Sequence, residues 1–108
     1  MKKPEKMNEL RRQALALPRQ PGVYIMKDAQ NNIIYIGKAK ALKNRVSQYF
    51  GSDAGQSEKV RRMVPKVDRF EYIVTDNEFE ALVLECSLIK QYSPKYNILL
   101  KDDKGYRY

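Results

Sequence analysis

Two short runs of β-branched and aromatic residues, each containing a tyrosine, lie close together in the first third of the chain. They occupy residues 22–25 and 33–36, and positions 27–32 between them are polar or small. This pattern predicts a β-hairpin with a longer loop. Because side chains alternate along a strand, Tyr35 is expected on the face opposite its two isoleucine neighbours. We therefore expect both hairpin tyrosines to be displayed from a rigid sheet.

The segment after the hairpin is basic and has helical spacing. We expect Gly37 to let the chain turn sharply into a helix over residues 38–50. The apolar side of this helix consists of Ala39, Leu42, Val46 and Phe50. Lys38, Arg45 and Tyr49 are spaced i, i+7 and i+11 and fall within a sector of about 40°. Arginine, lysine and hydroxyl groups that converge bind phosphate well, whereas the alternative is an ordinary solvated basic face.

The remaining periodic segments predict three more helices and one more strand. Apolar residues at helical spacing indicate an amphipathic helix over residues 6–17 and a short helix over residues 58–64. Residues 69–74 alternate as a strand with one apolar face. The most apolar helix is expected over residues 78–92. Residues 75–78 supply its N-cap candidates, including a capping box from Thr75 to Glu78.

Charge and residue usage narrow the possible functions. Among 108 residues, 21 are lysine or arginine and 13 are acidic, a net charge of +8, which favours a nucleic-acid partner over a membrane. No apolar run approaches the ~20 residues of a membrane span, so we expect a soluble, cytoplasmic protein. One cysteine and no histidine exclude an internal disulfide and a cysteine-based zinc site. Catalysis would have to use carboxylate, tyrosine, lysine or arginine.

Glu85 is out of place on the predicted apolar helix. At about 100° per residue, five apolar or aromatic residues lie within roughly 60° of it. They are Ala81, Leu82, Leu88, Ile89 and Tyr92. A carboxylate there loses hydration unless it is paired, protonated or bound to a cation. One interpretation is a buried ion pair with Arg45 or Lys38, and the other is a metal ligand or a general acid or base at the edge of a cleft.

The tyrosines and Asn97 each admit a structural and a functional interpretation. Tyr72, Tyr92 and Tyr96 are expected to fill a small core. The two hairpin tyrosines are better site candidates, because they lie on adjacent strands that lead into the basic helix. Asn97 follows a proline-set turn, and its spacing leaves open whether it caps locally or reaches into a site.

Several segments together resemble a known family. The triads Gly22-Val23-Tyr24 and Tyr35-Ile36-Gly37 resemble the two motifs of the GIY-YIG nuclease superfamily, with Val23 in place of an isoleucine. PGVY, IYIGKAKALKNRVSQYF, EALVLE, LIKQYSPKYN and LLKDDKGY, in this order, are similar to the N-terminal domain of UvrC, a nuclease family of bacterial nucleotide excision repair. The likeness covers residues 17–106. It implies an α+β fold with a small, mainly antiparallel three-stranded sheet flanked by helices, in agreement with the predicted elements.

The resemblance implies a role for each matching residue. Tyr35 would be the general base or would relay a proton from the attacking water, and Arg45 would stabilise the transition-state charge. Glu85 would bind one divalent cation, Mg²⁺ or Mn²⁺, that polarises the scissile phosphate and the leaving oxygen. The residues expected to line the site by hydrogen bonds to phosphate, water or metal-bound solvent are Tyr24, Lys38, Tyr49 and Asn97.

Five basic residues away from these motifs are expected to bind flanking phosphates without sequence specificity. They are Lys59, Arg61, Arg62, Lys66 and Arg69. By resemblance, the reaction is hydrolysis of one DNA phosphodiester bond on the 3′ side of a lesion. UvrB would mark the damaged DNA beforehand, and UvrA would act earlier in the pathway.

The length fits a single domain, and the tail after Gly105 has no clear terminating element. We therefore expect residues 1–108 to be one monomeric domain from the N-terminal part of a longer protein. Two alternatives stay open. One is a different, structure-specific GIY-YIG nuclease, against which EALVLE and LLKDDKGY argue; the other is a non-catalytic basic nucleic-acid-binding module in which Glu85 merely pairs with Arg45.

Overall fold

The computed structural model describes residues 4–51 and 58–97; the LLKDDKGY segment lies outside them. The elements are α1 (Pro4–Leu15), β1 (Gly22–Lys27), β2 (Ile33–Ala39), α2 (Leu42–Tyr49), α3 (Glu58–Met63), a 3₁₀ helix (Val64–Lys66), β3 (Arg69–Val74) and α4 (Glu78–Tyr92). The strands form an antiparallel sheet of order β2-β1-β3 with helices on both faces. The predicted α+β class with a small antiparallel sheet is confirmed.

The hairpin strands are longer than the sequence pattern predicted. Strand β2 continues to Ala39, which pairs with Gly22 at the start of β1. Gly37 lies inside β2, opposite Tyr24. The prediction that Gly37 turns the chain into a helix is therefore wrong, because the missing side chain serves the packing of the sheet at this point.

A β-bulge interrupts the hairpin near its loop. The register passes from the pair Met26 and Tyr35 to the pair Lys27 and Ile33, and it skips Ile34. A bulge adds a residue to one strand and breaks the alternation of side chains. Ile34 and Tyr35 therefore contact the same core cluster, whereas simple alternation predicted opposite faces.

The sheet has an apolar core on each face. The core on the α1 and α2 side is the larger; its buried residues include Leu10, Ala14, Met26, Leu42, Val46 and Met63. The core on the other side lies under α4, which packs over β1 and β2; its buried residues are Val23, Ile25, Ile36 and Ala81. Because β2 is an edge strand, groups from both faces can meet around it.

The first two helices differ from the prediction at their ends. Helix α1 ends at Leu15, and α2 begins at Leu42 because residues 38 and 39 belong to β2. Lys38 is therefore not on α2, and the prediction that it shares a helix face with Arg45 and Tyr49 is wrong. The predicted apolar side of this segment is buried as expected, since Ala39, Leu42, Val46 and Phe50 are all core residues.

Helix α4 has its predicted bounds, and its N-cap is one of the predicted candidates. Asn77 is the N-cap, and its Oδ1 accepts a hydrogen bond from the Glu80 amide at 2.8 Å. The predicted capping box at Thr75 is wrong, since its hydroxyl donates to the Asn77 carbonyl instead. Ser93, with φ of 45°, ends the helix in a left-handed conformation.

Only part of the predicted apolar face of α4 is covered by the sheet. Ala81 is buried and Leu88 and Ile89 are partly buried, but Leu82 and Tyr92 are exposed. The covered residues are those that face β1 and β2, because α4 packs over these two strands and they supply the core under it. No helix among residues 4–51 and 58–97 is long and apolar enough to span a membrane.

Of the three tyrosines expected to fill the core, the structure buries one and exposes two. Tyr96 is buried in the larger core, as predicted. Tyr72 is 46% exposed, because β3 forms the second edge of the sheet. The packing prediction is therefore correct for Tyr96 and wrong for Tyr72 and for Tyr92.

Candidate active site

Three tyrosines meet where the hairpin packs against α2. The hydroxyl oxygens of Tyr24 and Tyr49 are 2.8 Å apart, and the Tyr35 hydroxyl is also hydrogen-bonded to Tyr49. Their ring centroids are 5.6 Å, 6.2 Å and 6.4 Å apart, in tilted or edge-on pairs, the geometry that aromatic rings prefer. Tyr49 thus joins the two hairpin tyrosines into one group, the phenol cluster (Tyr24, Tyr35 and Tyr49).

The three phenols differ in their access to solvent. Tyr24 is only 2% exposed, and its hydroxyl is paired with Tyr49. Tyr35 and Tyr49 are partly buried. The prediction that both hairpin tyrosines are displayed is therefore wrong for Tyr24, whose contribution has to pass through Tyr49.

Burial raises the pKa of both hairpin tyrosines well above the ordinary phenol value of about 10. For Tyr24 the further causes are the charges of Tyr49 and Tyr35 and the hydrogen bond with Tyr49, and Arg45 opposes them. For Tyr35 they are the charge and hydrogen bond of Tyr49 and then the charge of Glu85, again opposed by Arg45. Because their pKa values are raised, both phenols keep their protons at neutral pH.

Glu85 approaches the phenol cluster from the other face of the sheet. It lies on α4, is partly buried, and raises the pKa of Tyr35 through its charge. Arg45, on α2, acts on the same phenol with the opposite sign. The candidate site therefore straddles the β2 edge, with phenols and a guanidinium on one side and a carboxylate on the other.

Lys38 belongs to the α4 side of this edge. It is exposed and pairs across the hairpin with Val23, whose side chain lies in the core under α4. Arg45 is exposed on α2, which covers the opposite face. The two cations predicted to share one helix face are therefore distributed over the two faces of the sheet.

Asn97 is attached to the backbone of β2. Its Oδ1 accepts a hydrogen bond from the Ile36 amide at 2.7 Å, and its Nδ2 donates to the Ile36 carbonyl at 2.8 Å. The side chain is 2% exposed. Both polar atoms of the Asn97 amide are therefore engaged with the edge strand next to Tyr35, and a bond from Asn97 to phosphate or water stays a prediction.

Two contributions to the site were missed at the level of sequence. The position of Gly37 opposite Tyr24 depends on the β-bulge, since counting back from the pair Lys27 and Ile33 would place Ile36 there. The pairing of Ile36 with Asn97 joins residues 61 positions apart, and no local pattern indicates it.

The residues predicted to bind flanking DNA are distributed over two regions. Arg61, Arg62 and Lys66 are exposed on α3 and the following 3₁₀ helix. Arg69 is on β3, the edge opposite β2, and its Nε is 3.6 Å from Asp68. The Lys59 side chain lies outside the described part of the chain.

The donor atoms of the candidate site suit a hard cation. Within the described ranges, no group of three or more histidine, cysteine or acidic side chains is gathered in one place. Mg²⁺ prefers oxygen ligands, keeps several waters and is commonly held by one or two carboxylates. The Glu85 carboxylate is partly buried and within electrostatic range of the Tyr35 phenol, so it fits such an ion, with Arg45 available for a phosphate.

A family model described as the UvrC-like GIY-YIG domain matches residues 20–98. The matched range contains the phenol cluster, Arg45, Glu85 and Asn97. It also contains the whole three-stranded sheet and α4.

Curated relatives and solved structures agree with this match. UvrABC system protein C of Clostridium tetani is 64% identical over 96 residues, which are 89% of this chain and 15% of the relative. The protein of the same name from Clostridium beijerinckii is 62% identical over 100 residues, 93% of this chain and 16% of the relative. The chain thus spans about a sixth of the length of these relatives.

The solved structures include a magnesium-bound GIY-YIG N-terminal endonuclease domain of UvrC from Thermotoga maritima. It has a TM-score of 0.73 and 48% identity, covering 82% of this chain and 94% of that domain. The magnesium there is described as the catalytic divalent cation of that domain.

Proposed function

The chain belongs to the UvrC-like GIY-YIG domain family, and we propose that it is a DNA endonuclease domain, a metal-dependent phosphodiester hydrolase. Tyr35 carries the proposal, because its phenol lies within range of the opposite charges of Glu85 and Arg45. A surface that only binds DNA needs cations. A partly buried carboxylate beside a phenol and a guanidinium can instead hold a divalent cation and a phosphate together, which is what metal-assisted hydrolysis of a phosphodiester uses.

Arg45 is the group that faces the charge of the substrate. Its guanidinium is exposed on α2, so it can donate two parallel hydrogen bonds to the oxygens of a phosphate. The charge on these oxygens grows as the attacking oxygen adds to phosphorus. A fixed cation at this position therefore stabilises the transition state more than the ground state.

Tyr35 holds a proton at its hydroxyl and orients the attacking water. Because its pKa is raised, the phenol is neutral, and its oxygen accepts a hydrogen bond from water while its own proton is directed to Tyr49. Tyr49 is hydrogen-bonded in turn to Tyr24. These hydrogen bonds fix the direction of the Tyr35 hydroxyl. The proton that the water loses passes to solvent, because Tyr24, at the end of the group, is buried and cannot release a proton to water.

Glu85 would hold the divalent cation, Mg²⁺ or Mn²⁺. When bound, such an ion acidifies water and neutralises charge on the scissile phosphate and on the leaving oxygen. Lys38, on the same face of the sheet as α4, supplies a second positive charge for the phosphate. Asn97 keeps β2 in place between the two halves of the site through its bonds to Ile36.

The biological reaction we propose is the 3′ incision beside a lesion in bacterial nucleotide excision repair. In this proposal the chain is the N-terminal domain of a longer cytoplasmic protein and acts as a monomer. Its substrate is DNA already marked by UvrB, after UvrA has acted. The supporting finding is the similarity to UvrABC system protein C over 93% of the chain.

Incision by the full-length protein, with UvrB and lesion-bearing duplex DNA, tests the proposal. Tyr35→Phe, Arg45→Ala and Glu85→Gln should each lower the 3′ incision rate by about 100-fold or more. Two matched variants serve as controls. Tyr72→Phe changes an exposed tyrosine on β3 and Glu78→Gln an exposed glutamate on α4, and both should keep the wild-type rate.

The opposite result would identify a binding module. If Tyr35→Phe and Glu85→Gln retain 3′ incision, the nuclease assignment is wrong. If these variants also still bind DNA, the function of the domain would be DNA binding through its basic surface.

A further inference from the structure

Gly37 lies directly beneath the ring of Tyr24. The two residues are cross-strand partners in the hairpin. A Cβ atom added to Gly37 would overlap the Tyr24 hydroxyl and the ring carbon that bears it, and would lie 2.8 Å from Cε2. Real Cβ atoms essentially never come within 3.0 Å of such neighbours. The space that a side chain would fill at position 37 is therefore the space that the Tyr24 ring occupies.

Backbone conformation does not explain the glycine. Gly37 is inside a regular strand, and its φ lies outside the left-handed region. An alanine can adopt the same backbone there without strain. What Gly37 provides at this point is the absence of a side chain under the Tyr24 ring.

We propose that Gly37 is a positioning residue for the phenol cluster. The Tyr24 ring rests on Gly37, and its hydroxyl is 2.8 Å from that of Tyr49, which is bonded to Tyr35. A side chain at position 37 pushes the Tyr24 hydroxyl away and breaks this chain of hydroxyls. The inference rests on the proposed function only for its effect on incision, since the effect on the phenols is independent of any reaction.

Gly22 provides a matched control in the same strand pair. A Cβ added there would overlap the Ile73 backbone carbonyl and lie 2.7 Å from Leu42 Cδ1. Gly22→Ala therefore creates a clash in the sheet that is at least as severe, but against the β3 backbone and Leu42, which lie outside the phenol cluster. Comparing Gly37→Ala with Gly22→Ala therefore distinguishes the two effects. Both variants should lose stability, but only Gly37→Ala should displace the phenols.

The test uses the 108-residue chain with ¹³C-labelled tyrosine rings, assigned by single Tyr→Phe variants. Gly37→Ala is expected to shift the ring resonances of Tyr24, Tyr49 and Tyr35, whereas Gly22→Ala leaves them unchanged. In full-length protein at a temperature where both variants are folded, Gly37→Ala should lower kcat for incision about 100-fold with little change in KM, as expected for a small misplacement. Gly22→Ala should keep kcat.

A double variant keeps the test decisive if Gly37→Ala does not fold. In a Tyr24→Ala background the ring is gone, so adding Gly37→Ala should cost far less stability than it does in the wild-type background. Equal costs in the two backgrounds, or unshifted phenol resonances in folded Gly37→Ala, would overturn the inference. Failure of wild-type incision would refute the proposed function alone, since the resonances and the double variant would still decide the role of Gly37.

Discussion

Replacing Asn97 by alanine should loosen strand β2 at its outer edge. The substitution removes one acceptor, 2.7 Å from the Ile36 amide, and one donor, 2.8 Å from the Ile36 carbonyl. The site is buried, with Asn97 only 2% exposed, so both backbone groups lose their partners. Each unsatisfied buried group costs about 1–3 kcal/mol, so we expect a loss of roughly 2–6 kcal/mol in the free energy of unfolding. That is a large share of the ~5–15 kcal/mol that stabilises a small domain.

Urea unfolding and amide hydrogen exchange measure this loss. With an m value of about 1.5 kcal/mol/M, a loss of about 3 kcal/mol moves the urea midpoint down by about 2 M. Exchange at the Ile36 amide should become faster than in the wild type, because that amide has lost its acceptor. Asn77→Ala is the matched control, since it removes an exposed N-cap bond to the Glu80 amide, costs about 1 kcal/mol and leaves exchange at Ile36 unchanged.

A small effect of Asn97→Ala on stability and on exchange in the edge strand would contradict this prediction. If Asn97→Ala moves the midpoint no further than Asn77→Ala, and the Ile36 amide exchanges as slowly as before, then the side chain does not hold β2. Asn97 would then be free to act on the substrate, as the family resemblance first suggested.

Two further predictions concern the phenols and the basic residues. Burial and then neighbouring phenols raise the pKa of Tyr24, and burial, Tyr49 and Glu85 raise the pKa of Tyr35. Above pH ~10 the unfolded phenols lose their protons while the folded ones keep them, so unfolding releases protons there but not at lower pH. Stability should therefore be level up to about pH 10 and then fall by about 1.4 kcal/mol per pH unit for each phenol, with Tyr24→Phe falling about half as steeply in urea titrations. Arg61→Ala should weaken DNA binding and reduce the slope of log affinity against log salt by about 0.9 without changing cleavage chemistry. Arg69→Ala should do less, because Asp68 already lies 3.6 Å from that guanidinium; equal effects in filter-binding assays would contradict this ranking.

Strong periodic patterns predicted most of the fold. The hairpin, the third strand and α4 were all found where alternation or helical spacing placed them. The predictions were wrong where one local sequence feature can have two different physical causes. A glycine after a strand often marks a turn, but Gly37 is needed for the ring that crosses it, and this misreading also moved Lys38 from the strand onto a helix.

The sequence identified candidate residues for the site but predicted little of how they are arranged. Glu85 stood out because a carboxylate on an apolar helix face needs a reason, and α4 does bring it within electrostatic range of Tyr35. The bond between Tyr24 and Tyr49 and the attachment of Asn97 to Ile36 depend on packing between elements distant in sequence. Spacing within one element carries no information about such contacts.

The central claim is that one divalent cation is held by Glu85 beside the phenol cluster, and anomalous diffraction tests it most directly. Crystals of the domain soaked in Mn²⁺ should show one anomalous peak about 2 Å from a Glu85 carboxylate oxygen, on the side of Tyr35, and Glu85→Gln crystals should show none. Well-occupied Mn²⁺ elsewhere with no peak at Glu85, or a peak that persists in the Glu85→Gln crystals, would contradict the claim.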